Sequence, residues 1–174
     1  NLIDDFYYIG NLKDTEHTGV ELVYAGFGIE NENYSDYTNL DVKGKYVLIK
    51  EGALESVKME NKEIGWRRKV KTAKNKGALG LITVKKNYTK EAERIAGAIE
   101  NPNMQMHSPG IRRAGLIPNI YISDSTAKTI LSKISESKIS IKVDIEEKLT
   151  SANVLGYIEG TDLKEELVII TAHH

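Results

Sequence analysis

The stretch from residue 45 to residue 84 constrains the fold more than any other part of the chain. It opens on KYVLIK, a short apolar run of the kind that fills both faces of a sheet, and closes on a second such run, ALGLITV. Between them, GWRRKVKTAKNKG places Trp66, Val70, Ala73 and Gly77 at i, i+4, i+7 and i+11. That is one helical stripe, and it predicts that Trp66, Val70 and Ala73 are mostly buried. Two such strands separated by one amphipathic helix begin a βαβ rhythm that runs on to Ser123 and argues for some parallel pairing in the sheet.

The same rhythm extends outward. TKEAERIAGAIE (residues 89–100) reads as a second helix, NIYIS as a strand, and DSTAKTILSKI as a helix with Ser123 or Asp124 as N-cap. SKISIKVDIEE alternates apolar and polar residues as a half-exposed strand should. Upstream, VELVYAGFGI (residues 20–29) reads as a strand whose Gly26 and Gly28 suit a bend or bulge, followed by a loop that closes on the turn at Lys43 and Gly44. Downstream, NVLGYIEG and ELVIITA read as two further strands joined by GTDLKE. The expected fold is α/β. Strands from Val20, Lys45, Ala78, Asn119 and Ile139 build a curved, barrel-like mixed sheet flanked by two or three helices. The segment 101–118 holds all three prolines, two methionines and His107, and is expected to be a long mobile loop.

Composition narrows the function classes. Lys plus Arg number 24 and Asp plus Glu 25, so no global field draws the chain to nucleic acid or to an anionic membrane. Cysteine is absent, which excludes disulfides and cysteine nucleophiles. No apolar run approaches the roughly 20 residues of a membrane span. The chain begins at Asn1 with no basic-then-apolar leader, so a processed or excised piece is expected, with a signal peptide upstream remaining open. Gly26-Phe27-Gly28 lacks the third glycine of a dinucleotide fingerprint and reads as a strand bend, and DVKGK lacks the spacing of a phosphate loop. The run Arg67, Arg68, Lys69, Lys71, Lys74 and Lys76 reads as the solvated face of the helix. Asn33-Tyr34-Ser35 and Asn87-Tyr88-Thr89 match the N-glycosylation pattern, a weak signal in itself. His17 and His107 are expected at the surface, and no Ser, His and acid set suggests nucleophilic catalysis.

ELVYAGFGIENENYSDYTNLDVKGKYVLIKEGA, WRRKVKTAKNKGALGLITV and IPNIYISDSTAKTIL together resemble the protease-associated (PA) domain inserted in secreted metallopeptidases. The nearest likeness is to the version carried by M28-type zinc aminopeptidases. The tail SANVLGYIEGTDLKEELVIITAHH is similar to the point where the chain of those enzymes re-enters the catalytic domain. The resemblance implies a swivelling β/β/α arrangement and three segments. Residues 1–19 are a lead-in, 20–149 the PA domain, and 150–174 the start of a truncated metallopeptidase domain.

It also implies that His173 is the first zinc ligand of a two-zinc site, with His174 at a variable position and the remaining ligands and the general base beyond the chain. In such sites two metal ions polarise a water and stabilise the oxyanion formed as the peptide bond is attacked. One ligand cannot hold that site, so the piece itself is expected to be inert. The alternative for the two histidines is the start of a purification tag. The favoured function is a non-catalytic lid or interaction domain beside the substrate cleft of a secreted, periplasmic or cell-envelope aminopeptidase, with segment 101–118 facing the catalytic domain. Its partner would be a peptide substrate, met through the parent catalytic domain, with no nucleic acid and no membrane span. The alternative is a stand-alone protein- or peptide-binding module.

Overall fold

The computed structural model describes residues 3–8, 15–55, 65–100, 117–143, 156–162, 166 and 168–170. Six strands form one sheet: β1 (Phe6–Tyr8), β2 (Thr15–Tyr24), β3 (Tyr46–Lys50), β4 (Gly80–Val84), β5 (Asn119–Ile122) and β6 (Lys138–Val143). The three described helices are α1 (Trp66–Asn75), α2 (Tyr88–Glu100) and α3 (Asp124–Leu131). Across the sheet the order is β1-β5-β4-β3-β2-β6. The four inner strands are parallel, with Tyr46 opposite Gly80 and Leu81 opposite Asn119, and β1 and β6 close the two edges antiparallel. The result is a mixed α/β domain whose sheet curls into a half-barrel, as the sequence predicts.

Every residue of β4 and all of β3 except Lys50 are buried, so both faces of the sheet centre must be covered. On one face Val47, Ile49 and Leu81 pack with Val70 and Ala73 of α1, while Tyr7 and Tyr121 pack with Tyr88, Ala92 and Ile95 of α2. On the other, Tyr46, Leu48, Ile82 and Ile122 pack with Ala127 of α3. The helices end where their residues direct. The Ser123 hydroxyl accepts the Thr126 N–H at 3.1 Å and caps α3. Gly77, at φ +84°, stops α1: its N–H reaches the Lys74 carbonyl and the Ala78 N–H reaches Ala73, a Schellman pair.

The structure corrects four expectations. Trp66 is 43 % exposed although Val70 and Ala73 are buried. It is the first residue of α1 and overhangs the sheet, with the Arg67 guanidinium 5.4 Å from its ring, and Lys69 takes the buried place instead. β2 runs earlier than expected and stops at Tyr24. Gly26 and Gly28, both at positive φ, then form a turn wrapped on the Asp36 carboxylate, which accepts the N–H groups of Phe27 and Ile29 and the Tyr34 hydroxyl. His17 is a strand residue, not a free surface one, and its Nδ1 lies 2.8 Å from the Tyr46 hydroxyl. The described parts of NVLGYIEG and ELVIITA form no strand, and Tyr157, Ile158 and Val168 to Ile170 are 74–95 % exposed. They join none of the three apolar clusters, so no burial offsets the entropy of ordering them. β1, within the lead-in segment, is an addition that pattern reading missed.

Tyr46 is fully buried, and its ring lies across Gly80, where a Cβ would stand 2.2 Å from Cε1. Gly80→Ala should therefore cost about 2–3 kcal/mol in urea unfolding, since neither ring nor strand can yield without repacking. Gly97→Ala, at an exposed helical position with nothing within 4 Å, should instead stabilise by about 0.5–1 kcal/mol.

Candidate functional site

On the face covered by α1 and α2, the two helices leave a gap over the sheet, and a cavity of about 320 Å³ opens there. Its floor is built from Ile49 of β3 with Glu51 just beyond it, and from alternate residues of the next two parallel strands, Leu81 and Thr83, Asn119 and Tyr121. Trp66, Lys69 and Val70 of α1 form one wall, and Glu91 of α2, with Lys85 after β4, the other. A sheet covered on both faces normally presents aliphatic side chains, so Thr83 and Asn119, both buried, break the pattern. They satisfy each other: the Thr83 hydroxyl donates to Asn119 Oδ1 at 2.8 Å, and Asn119 Nδ2 donates to the Tyr121 hydroxyl at 3.0 Å. The chain leaves the Tyr121 O–H and one Asn119 N–H with no acceptor among the described residues.

Charges of both signs line the cavity. The Lys69 ammonium donates to the carbonyls of Gly52 at 2.6 Å and Lys50 at 3.3 Å, tying α1 to the chain leaving β3. Burial pulls its pKa down to about 8, against the opposing pull of Asp36 and Glu51. Lys85 pairs with Glu51, lies 3.9 Å from Glu91, and sits 5.7 Å from the centre of the Tyr121 ring. Burial pushes the Glu51 carboxyl up, but the Lys85 ammonium and the Lys86 N–H outweigh it and hold the group below the usual range. Tyr121 is pushed up to about 12 by burial and by Glu51 and Glu91. Beside it, Tyr7 stacks at 5.0 Å with a hydroxyl that is buried and unpartnered among the described residues.

Lys69 gives a measurable pH dependence. Its folded pKa lies below that of the unfolded chain, so between pH 8 and 10 the unfolded state binds more protons and stability rises with pH. The gain over that interval should be about 2 kcal/mol, absent in Lys69→Met. Above pH 10 the trend should reverse, because Tyr46 and Tyr121 keep their protons to about 12 when folded and lose them earlier when unfolded. Urea titrations at pH 7, 8, 9 and 10 check the sign.

The residues singled out in the sequence fall elsewhere. His173, His174 and His107 lie outside the described residues, as does segment 101–116. Among the described residues no three His, Asp or Glu side chains converge as a metal ion requires. In the Gly26-Phe27-Gly28 turn the Phe27 N–H, with that of Ile29, donates to Asp36, and the Gly28 N–H donates to the Ala25 carbonyl. Of the basic run, Arg67, Arg68, Lys71 and Lys74 are exposed as expected, Lys76 pairs with Glu30 at 2.5 Å, and Lys69 is buried. Pattern reading missed the cavity, although its signal was present: a Thr within the strand GLITV and an Asn opening the strand NIYI, both otherwise apolar apart from the Tyr121 hydroxyl. No described helix is long and apolar enough to cross a membrane.

The PA domain family model matches residues 18–130, from within β2 to the last turn of α3, and so includes most strands and helices described above. No curated protein matches the chain. Among solved structures, it is similar to an aminopeptidase from Aneurinibacillus sp. strain AM-1, with 19 % identity and a TM-score of 0.44 over 75 % of this chain. The chain spans about a quarter (25 %) of that protein's length. With the family model covering well over half of its residues, the chain belongs to the PA domain family.

Proposed function

We propose that this PA domain is the accessory domain of a zinc-dependent M28-type aminopeptidase that hydrolyses N-terminal peptide bonds, acting as a lid or interaction domain beside the substrate cleft. The observation that carries this reading is the tail. Tyr157, Ile158, Val168, Ile169 and Ile170 stand exposed after β6, the last described strand, in the segment whose sequence resembles the re-entry into such a peptidase. Large apolar side chains in water forgo about 1.5–3 kcal/mol each relative to burial, and contiguous exposed apolar segments mark surfaces that another body covers. On this reading the cover is the peptidase domain, with which the tail pairs as strands.

Zinc would enter through His173, with a neutral imidazole as ligand and its second ring nitrogen held by an acceptor. Among the described residues no three candidate ligands converge, so no step of hydrolysis is assigned to them. The peptide substrate is met by the parent enzyme, placed outside the cytoplasm in the secreted, periplasmic or cell-envelope space.

In a protein that carries both this domain and the peptidase domain, His173→Ala should lower bound zinc and reduce aminopeptidase turnover about 100-fold or more. His174→Ala should leave both within about twofold of the parent, measured by metal analysis and by the rate on an aminoacyl anilide. Full zinc occupancy and unchanged turnover in His173→Ala would show that the tail is no part of a peptidase active site.

A further inference from the structure

We propose that the cavity between α1 and α2 is a binding site for a free apolar α-amino acid. Glu51 takes the Lys85 ammonium and also feels Lys69, so Glu91, on α2 and 3.9 Å from Lys85, is left as the under-matched carboxylate on one side of the cavity. Arg94 also reaches Glu91, at 3.4 Å, but from a side chain 70 % exposed, where such a pair contributes little. At the other side Lys69 is held by two carbonyl oxygens and has no carboxylate within ion-pair distance among the described residues, and its third N–H is unspent. The cavity thus offers an unmatched negative end and an unmatched positive end, the complement of a zwitterion.

Hydrogen-bonding capacity points the same way. The groups left over after the internal bonds are donors: the third Lys69 N–H on the α1 side and, on the floor, the Tyr121 O–H and one Asn119 N–H. Together they suit a carboxylate. The free lone pairs of Glu91 suit an ammonium. Trp66, 43 % exposed at the side and backed by the buried Ile49, Val70 and Leu81, provides apolar surface for the side chain. A volume of about 320 Å³ lies at the small end of ligand sites and fits one amino acid better than a nucleotide or a folded peptide. Buried Thr83 and Asn119, which no packing need explains, become the polar floor that orients the ligand.

The test uses the ¹⁵N-labelled 174-residue chain titrated with L-leucine. Comparators are 4-methylpentanoate, which lacks the ammonium, 3-methylbutylamine, which lacks the carboxylate, and N-acetyl-L-leucinamide, which lacks both charges. Leucine should give saturable shifts centred on Thr83, Asn119 and Tyr121 with a Kd on the order of 1 mM, and each comparator should bind about tenfold more weakly or worse. Glu91→Gln should weaken leucine about tenfold and leave 4-methylpentanoate unchanged, because only the ammonium end is altered. No saturable shift up to about 20 mM leucine, shifts centred elsewhere, equal binding of the uncharged amide, or unchanged leucine affinity in a folded Glu91→Gln would each overturn the assignment. The inference concerns the PA domain alone, so its failure would leave the reading of the tail standing, and the reverse.

Discussion

Burial of β3 and β4 on both faces is the constraint from which the rest of the architecture follows. Tyr46 and Leu48 point one way and Val47 and Ile49 the other, and all four are fully or almost fully buried. Parallel strands of this kind cannot be left with one wet face, so the connections must supply helices on both sides. α1 and α2 cross one face and α3 the other, and the antiparallel edge strands β1 and β6 finish a sheet whose centre is already fixed. The contact of the Tyr46 ring with Gly80 shows how tightly the register is set. A residue with any side chain at 80 would stand inside the ring, and the same tyrosine reaches His17 on β2 through its hydroxyl.

The cavity is where that packing is relaxed. α1 covers the aliphatic part of the sheet face and α2 the tyrosine part, and between them the floor turns to Thr83 and Asn119. Valine and leucine at those positions would stabilise a sheet of this kind and close the gap. A hydrogen-bonded Thr, Asn and Tyr chain instead keeps the space polar and ordered, with Lys69 and Lys85 anchored at its sides. Such a departure from local rules, with all internal bonds satisfied and donors to spare, is what a binding site costs a fold.

Much of this was legible beforehand, for identifiable reasons. KYVLIK and ALGLITV could hardly be anything but buried strands, and the Val70 and Ala73 spacing named the helix face correctly because those positions sit mid-helix over the sheet. Trp66 failed because periodicity assumes the partner surface extends under the whole helix, and at the first turn of α1 it does not. Lys69 failed because a lysine reads as solvated unless backbone carbonyls converge on it, and those of Lys50 and Gly52 come from a separate segment. β1 was illegible because three residues carry no period; it is defined by the tyrosine stack of Tyr7, Tyr121 and Tyr88, which is a tertiary contact. The tail reads as strands because its residues favour them, but a strand needs a neighbour to pair with and a face to bury.

That last point carries the functional reading. The described apolar residues of the tail have strand-forming sequence and pair with no strand among the described residues, and on our account the partner is a peptidase domain. Hydrogen exchange at the amides of Tyr157, Ile158, Val168, Ile169 and Ile170 tests this most directly. It is measured on this chain alone and on a protein in which a peptidase domain follows it. The account predicts exchange near the unstructured rate in the first and protection of about a thousandfold or more in the second. Equal and rapid exchange in both would contradict it.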